Sequence, residues 1–242
     1  MTYCLGILLR AGLVLASDSR SNAGVDQVQR VGKLSLLSTS PDRFIALLSA
    51  GNLATTQSVA SELEQAMGSG EAGADVALTQ SLYETAELVG AKLRQVLARD
   101  AAYVQPEDPT ASFLVAGEIA GHAPRLFQVY SAGNFIEASE RSCFLQIGET
   151  KYGKPILDRA LRLDSSLEHA AKLALLSFDA TIRSNLSVGM PIDLMRYRAG
   201  SFTPEVVTLE EDNRYWRLLT DAYSRGLSEL VDRLPSPPSD LG

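Results

Sequence analysis

The chain begins MTYCLGILLRAGLVLASDSRSNAGVDQVQRVGK (residues 1–33), and this stretch decides the predicted fold. It holds two apolar segments of strand length, residues 2–9 and 13–17, joined by a short turn. Such a pattern predicts a β-hairpin. Antiparallel pairing about the turn matches residues whose numbers sum to about 21–22, so Thr2 lies one or two positions from Asp18.

A second hairpin is predicted directly after the first. Residues 19–32 are polar and contain glycine, which indicates a loop. Strands then fit residues 33–38 and 43–49, on either side of a turn around Pro41. The same counting places Lys33 opposite Ser49. If the two hairpins share a sheet, their open ends meet at one place.

The rest of the chain alternates runs of helices with runs of strands. The apolar periodicity predicts helices at residues 53–67, 75–97, 150–162, 166–183 and 210–232. It predicts strands at residues 112–119, 125–132, 143–148, 189–198 and 205–209. We expect the last helix to bury Leu219, Tyr223, Leu227 and Leu230.

This order lacks strict βαβ alternation, which favours an α+β fold of antiparallel sheets with segregated helices. Two sheets packed face to face, with helices covering both outer sides, would use every predicted element. We predict a single domain over residues 1–233. The Pro/Ser-rich tail, residues 234–242, is expected to be disordered.

Composition excludes several classes of protein. The 242 residues carry a net charge of -7 without any run of lysine or arginine, which argues against nucleic-acid binding. No segment approaches the ~20 apolar residues of a membrane span, and no secretory signal is recognisable. Cys4 and Cys143 lie in separate apolar segments, which favours buried free thiols in a reducing compartment. We therefore expect a cytoplasmic protein.

Most familiar catalytic motifs are missing. His122 and His169 are the only histidines, and there is no HExxH, CxxC or GxSxG pattern. Residues 68–73 match the dinucleotide pattern GxGxxG, but a predicted helix rather than a strand precedes them. The sequence therefore predicts no metal and no cofactor.

Thr2 is the candidate nucleophile, because it follows Met1 directly. Aminopeptidases remove an initiator methionine when the next residue is small, which would leave Thr2 with both a hydroxyl and a free α-amine. The amine has an ordinary pKa of ~7.7–8.0 and can accept the hydroxyl proton. Asp18 would orient and neutralise Lys33, whose cation would lower the pKa of the amine and stabilise an alkoxide. Gly51 would donate its N–H to the oxyanion.

In an alternative interpretation, Thr2 and Asp18 have no catalytic role. Threonine is common at position two, and Asp18-Ser19-Arg20 can be an ordinary turn with a surface ion pair.

An ordered set of motifs decides between these interpretations. It comprises Met-Thr-Tyr-Cys (1–4), Ala-Ser-Asp-Ser-Arg (16–20), Ser-Asn-Ala-Gly-Val-Asp (21–26), Lys33, Ala-Gly-Asn-Leu-Ala-Thr-Thr-Gln (50–57) and Gly-Glu-Thr-Lys-Tyr-Gly-Lys-Pro-Ile-Leu-Asp-Arg (148–159). The set resembles a proteasome β-type subunit and, more closely, the bacterial Anbu, or ancestral β-subunit, group.

The resemblance implies an N-terminal-nucleophile hydrolase fold, a four-layer αββα sandwich, and a threonine endopeptidase with Thr2 as nucleophile. Ser21 and Asn22 would pair with the substrate backbone, and Leu53 would line the pocket for the residue before the cut. The implied substrate is a peptide or unfolded polypeptide. The implied assembly is a ring-like or open-ring homo-oligomer, with any ATP-dependent unfoldase partner left unidentified.

Two departures from the family pattern concern residues beside the nucleophile. The family's Arg-Asp-x-x-Ser segment reads Arg-Ser-Asn-Leu-Ser at residues 183–187, so Ser184 replaces an aspartate while Ser187 remains. The family's glycine–serine turn reads Gly-Glu at residues 148–149, so Glu149 adds a carboxylate. These changes leave two alternatives open: an oligomeric scaffold or peptide-binding compartment with a vestigial site, or an amidase for small-molecule amides.

Overall fold

The first hairpin forms as its apolar pattern predicts. In the computed structural model, which describes residues 2–22, 28–100, 103 and 108–237, strand β1 (Tyr3–Leu9) pairs with strand β2 (Gly12–Asp18). Cys4 lies opposite Ser17, which confirms the predicted register. Both strands are buried almost throughout, because each of their faces is covered by another layer of the fold.

The remaining elements follow in the predicted order, with three additional strands. The strands are β3 (Arg20–Asn22), β4 (Val28–Arg30), β5 (Leu34–Ser40), β6 (Arg43–Gly51), β7 (Ala111–Ile119), β8 (Arg125–Val129), β9 (Phe135–Glu137), β10 (Phe144–Gly148), β11 (Ile192–Arg198) and β12 (Glu205–Leu209). Of these, β3, β4 and β9 are the additional strands. The helices are α1 (Leu53–Ala66), α2 (Leu82–Asp100), α3 (Lys154–Ala160), α4 (Leu167–Ser184) and α5 (Arg214–Arg233), with a 3₁₀ turn at Val76–Leu78.

These elements form two antiparallel five-stranded sheets and one small two-stranded sheet. The first large sheet has the order β10-β1-β2-β11-β12, and the second has the order β5-β6-β7-β8-β9. Apolar side chains from both, including Leu13, Phe44, Leu114 and Met195, fill the space between the sheets. Helices α3, α4 and α5 cover the first sheet, while α1 and α2 cover the second. The architecture is the predicted α+β four-layer αββα sandwich.

The two N-terminal hairpins do not share a sheet. The β1–β2 hairpin belongs to the first sheet, and the β5–β6 hairpin belongs to the second. Their open ends nevertheless meet, because the stacked sheets place them face to face. Lys33 lies opposite Ser49, as counted from the turn, and the N–H of Ser49 donates to the Lys33 carbonyl at 3.0 Å.

Residues 19–32 are not entirely a loop. β3 and β4 pair within this segment, with Arg20 opposite Arg30. Each strand of this ribbon is only three residues long, which is too short for a periodic pattern to indicate. The predicted helix at residues 75–97 starts later, at Leu82, because Asp75 caps the separate 3₁₀ turn. Strand β9 was not predicted, since it is only three residues long.

The last helix is less buried than its pattern suggested. It begins at Arg214, where the Asn213 side chain accepts a hydrogen bond from the N–H of Trp216. Within α5 only Trp216 and Thr220 are buried. The prediction of burial was wrong for Leu227 and Leu230, which are exposed, and Leu219 and Tyr223 are only half-buried. Residues 234–237 carry no regular structure, and residues 238–242 of the predicted tail lie outside the described residues.

Candidate active site

A buried ion pair lies where the two hairpins meet. The Lys33 ammonium donates to Asp18 Oδ1 at 2.7 Å and to the Arg20 carbonyl at 2.6 Å. Asp18 is fully buried, and Lys33 is 6% exposed. Burial raises the pKa of Asp18, against the opposing effects of the Lys33 cation and of N–H groups from Tyr3 and Gly189. The lysine is thus held in one position by a carboxylate and a carbonyl.

Tyr3 directly follows the candidate nucleophile, Thr2, and is anchored at both its backbone and its side chain. Its N–H donates to Asp18 Oδ1 at 3.0 Å, which connects the backbone of the first strand to the ion pair. Its phenol is fully buried, lies 2.7 Å from the Ser177 hydroxyl and accepts from Gln146 Nε2 at 2.6 Å. Burial raises the pKa of Tyr3 to about 12. The side chain therefore stays neutral and holds Thr2 against α4.

The backbone of Thr2 is held from the other side by the end of β10. The N–H of Glu149 donates to the Thr2 carbonyl at 2.7 Å. Gly148 has a φ of 80°, and a Cβ at this position would lie 2.0 Å from the Thr2 carbonyl oxygen. Only glycine permits both this backbone conformation and this close approach. Thr2 is therefore confined between Gly148 and the Asp18–Lys33 pair.

Two cavities flank Gly51. The Leu53 cavity, of about 270 Å³, is lined by Thr2, Lys33, Gly51, Leu53, Gln57 and Glu64, among others. The Tyr130 cavity, of about 340 Å³, is lined by Gly51, Ser112, Gln128, Tyr130, Gly148 and Thr150, among others. Gly51 itself has a φ of 118°, and a Cβ there would lie 2.4 Å from the Thr110 carbonyl oxygen. An extended chain crossing Gly51 could therefore occupy both cavities.

The other residues singled out from the sequence lie in β3 and near the end of α4. Ser21 and Asn22 belong to β3, adjoining Arg20, whose carbonyl binds Lys33. Ser187 is half-buried, and its N–H donates to the Asn185 side chain at 2.9 Å. Ser184 is exposed at the end of α4. Met1 lies outside the described residues, so the predicted processing of the N-terminus remains a prediction.

Sequence reasoning missed several residues of this site. Tyr3 was not selected, because a single aromatic residue in an apolar strand is usually core. Gly189 donates its N–H to Asp18 Oδ2 at 3.5 Å, and Asn185 donates to Glu149 at 3.0 Å. Both lie in the connection between α4 and β11, and only the pairing of β11 with β2 brings that connection to the site.

The neighbouring cysteine is not a suitable nucleophile. Cys4 is fully buried between the sheets, and its thiol donates to the Ser49 carbonyl at 3.4 Å. Burial raises the pKa of Cys4 far above its ordinary value, which keeps the thiol protonated. Cys143 is also free and buried, as the sequence predicted for both cysteines. Within the described part of the chain, no cluster of side chains could hold a metal ion.

Comparison with known proteins relates this geometry to a family. A family model described as "Proteasome subunit" matches residues 2–195. No protein of curated function matches the chain in a sequence comparison.

Solved structures match along the whole chain. The chain is similar to Anbu (ancestral β-subunit) from Yersinia bercovieri, at 41% identity and a TM-score of 0.93, covering 99% of this chain and 100% of that one. It is also similar to the Anbu complex of Pseudomonas aeruginosa, solved as a helical assembly, at 46% identity and a TM-score of 0.94, covering 100% of both chains. A Gly-1 mutant of Anbu from Hyphomicrobium sp. strain MC1 matches at 42% identity and a TM-score of 0.92, covering 98% and 100%.

Proposed function

The chain belongs to the proteasome subunit family, within its Anbu group, and from that premise we propose that it is a threonine peptidase. Its nucleophile would be the hydroxyl of Thr2 in a chain from which Met1 has been removed. The observation that carries the proposal is the buried Lys33–Asp18 pair, with Asp18 also bonded to the N–H that follows Thr2. A buried lysine fixed beside a hydroxyl and an α-amine suits the activation of that hydroxyl.

The proposed reaction proceeds in two stages. Thr2 Oγ attacks the carbonyl carbon of the peptide bond, and the α-amine of Thr2 accepts the hydroxyl proton. The C–N bond then breaks, and the leaving amine takes that proton from the ammonium. A water molecule attacks the resulting ester, gives one proton back to the α-amine and releases the acid as the Thr2 hydroxyl forms again.

Lys33 and Gly51 would stabilise charge during these steps. The Lys33 cation lines the Leu53 cavity together with Thr2 and favours the developing alkoxide, as a neighbouring positive charge does. Asp18 neutralises Lys33 between turnovers and keeps its ammonium in place at 2.7 Å. The N–H of Gly51 is proposed as the oxyanion donor, because Gly51 lines both cavities.

The cavities suggest how a peptide would bind. The Leu53 cavity contains Thr2, so it would hold the side chain before the cut, and the backbone of Ser21 and Asn22 would pair with the substrate. The Tyr130 cavity lies past Gly51 and would hold the residues after the cut. No charged residue lines the Tyr130 cavity within the described ranges. Since no cation is present there to bind a terminal carboxylate, this favours endopeptidase over carboxypeptidase activity.

We further propose that the protein self-associates, as its Pseudomonas aeruginosa relative does in a helical assembly. The exposed apolar side chains of α5, including Leu218, Leu227 and Leu230, would be covered in a ring-like or open-ring homo-oligomer. In the described residues, no helix is long and apolar enough to span a membrane. The two free thiols suit a reducing compartment, so the proposal places the protein in the cytoplasm.

Hydrolysis of a peptide library by the processed chain tests this proposal, with Thr2→Ala as the control variant. We expect cleavage by the wild-type chain and none by the variant, while both assemble alike. Equal cleavage by both proteins would contradict the assignment of Thr2.

One observation favours a second candidate function. Ser184 is exposed, and the buried Glu149 donates its N–H to the Thr2 carbonyl, so the residues around the amine differ from the family pattern. An amidase for small-molecule amides, or a scaffold with a vestigial site, would fit such a change. Turnover of small amides without turnover of peptides would identify the amidase, and normal function of Thr2→Ala in cells would identify the scaffold.

A further inference from the structure

Glu149 is a buried acidic residue that the mechanism above does not use. It follows Gly148 at the end of β10 and is 5% exposed. Its N–H donates to the Thr2 carbonyl at 2.7 Å, so the two residues are direct backbone neighbours. A carboxylate in such a position needs a reason, because burial of an uncompensated charge is strongly unfavourable.

Polar groups hold the Glu149 side chain without neutralising it. Its Oε2 accepts from Asn185 Nδ2 at 3.0 Å, and its Oε1 accepts from the N–H of Lys151 at 3.3 Å. Asn185 is fixed in turn, because its Oδ1 accepts from the N–H of Ser187 at 2.9 Å. No ion pair within 4.0 Å joins Glu149 to a cation of the described residues. The Glu149 carboxylate is therefore held in one position, and no cation among the described residues neutralises it.

Removal of Met1 places the α-ammonium group of the chain on Thr2, the residue whose carbonyl accepts the N–H of Glu149. We propose that the Glu149 carboxylate is the counter-ion of the Thr2 α-ammonium, orienting the amine and making its neutral, basic form the less abundant one at neutral pH. The inference rests on the proposed function only in requiring a chain that begins at Thr2. Glu149 thus acts as a positioning residue, and the hydrogen bond from Asn185 fixes its carboxylate.

The pKa of the Thr2 amine then depends on two opposite charges, those of Lys33 and of Glu149. Lys33 favours the neutral base, whereas Glu149 favours the ammonium. Because Asp18 already pairs with Lys33, their net charge is zero and their combined effect on the amine is small. The single negative charge of Glu149 then dominates.

The other charged and titratable groups around Thr2 do not reverse this balance. On α4, Asp179 and Arg183 pair at 2.9 Å and cancel. On β1, burial raises the pKa of Tyr3 and of Cys4, so both stay neutral. Arg20 is half-buried and donates to the Leu186 carbonyl at 3.1 Å, where solvent screens its charge more than that of Glu149.

Competitive acetylation tests the inference without any need for turnover. The rate at which trace acetic anhydride labels the α-amine of Thr2 is measured from pH 5 to pH 11, on chains whose N-terminus is verified by mass. We expect the wild-type amine to titrate above the ordinary ~8. Glu149→Gln should lower its pKa by about one unit or more, as loss of an adjacent charge does. Glu140→Gln, an exposed glutamate paired with Arg10, should leave it unchanged.

Each outcome decides the matter. An amine pKa that is the same in wild type and Glu149→Gln overturns the inference. If Glu149→Gln does not fold, the wild type and Glu149→Asp, which keeps the carboxylate, take its place. An amine in both that titrates above ~8 supports the inference, and one at or below ~8 overturns it. A shifted amine in a protein that cleaves no peptide would sustain this inference while rejecting the proposed peptidase.

Discussion

Asp18 accepts a hydrogen bond from the backbone N–H of Tyr3 at 3.0 Å, on the same carboxylate oxygen that binds Lys33. One oxygen therefore links the lysine to strand β1, which directly follows Thr2, the proposed nucleophile. The arrangement fixes the position of Thr2 relative to Lys33 through the backbone of a single residue. Its parts should be strongly interdependent, which several variants can test.

Removal of Lys33 should be far more harmful than removal of a surface lysine. Lys33→Met leaves the Asp18 charge buried without a cation, which should lower the free energy of unfolding by about 3–5 kcal/mol. The matched control is Lys154→Met, since Lys154 forms a half-exposed pair with Asp158 and should lose under ~1 kcal/mol. Urea denaturation measures both. The double variant Lys33→Met/Asp18→Asn should recover part of the loss, and strict additivity of the two substitutions would contradict a coupled pair.

A methyl group at Gly148 should displace Thr2. In Gly148→Ala the new Cβ would lie 2.0 Å from the Thr2 carbonyl oxygen, so the N-terminal strand must move. We expect peptide cleavage to fall by about 100-fold or more, because a misplaced nucleophile loses its orientation. Gly68→Ala is the control: it has a similar φ of 76° but open space around the position. That variant should lose only about 1–2 kcal/mol of stability through backbone strain and keep full activity. Equal losses of activity in both variants would show that strain, not contact with Thr2, matters at Gly148.

Tyr3 should make the fold sensitive to alkaline pH. Its pKa is about 12 in the folded protein, against about 10 in the unfolded chain. The folded state therefore keeps the phenol proton longer, so the stability that Tyr3 contributes is complete below pH 10 and is lost as the pH rises through 12. Relative to Tyr3→Phe, the wild type should lose about 2–3 kcal/mol over this window. Denaturation curves at pH 8 to 12 measure the difference, and a constant difference would refute the buried phenol.

Cys4 should resist thiol reagents, although it lies only two residues from Thr2. Its thiol is fully buried, and burial raises its pKa far above the ordinary value. Iodoacetamide at pH 8 should leave Cys4 unmodified in the folded protein and leave peptide cleavage intact. Mass spectrometry of digested protein measures the labelling. Alkylation of Cys4 with loss of activity would point to a cysteine enzyme instead.

Counting residues from a turn predicted the pairings of the site that form within each hairpin. Lys33 lies opposite Ser49, and Asp18 lies near Thr2, because an antiparallel hairpin fixes its register from its turn. The same counting could not show that the hairpins lie in different sheets. Strand β2 pairs with β11, where Ile192 lies opposite Asp18, and such long-range pairing leaves no local signal. Gly189 and Asn185 reach the site only through that pairing.

Helix α5 shows a second limit of prediction from the sequence, which concerns burial rather than pairing. Its apolar positions follow the helical period, so its existence was predictable from the sequence. The pattern does not say which apolar residues meet a partner within the same chain. Trp216 packs into the core beneath the first sheet's helices, whereas Leu227 and Leu230 stay exposed. The periodicity was real, but the described part of the chain does not cover the second half of that apolar face.

The central claim is that Thr2 carries the nucleophile after Met1 has been removed. Intact-mass analysis of the purified protein, before and after exposure to an epoxyketone that bonds to both the hydroxyl and the α-amine of an N-terminal threonine, tests both parts together. We expect a mass without Met1 and a single adduct, located on Thr2 and absent from Thr2→Ala. Retention of Met1 in protein from its native cells, or a processed chain that forms no adduct on Thr2, would contradict it.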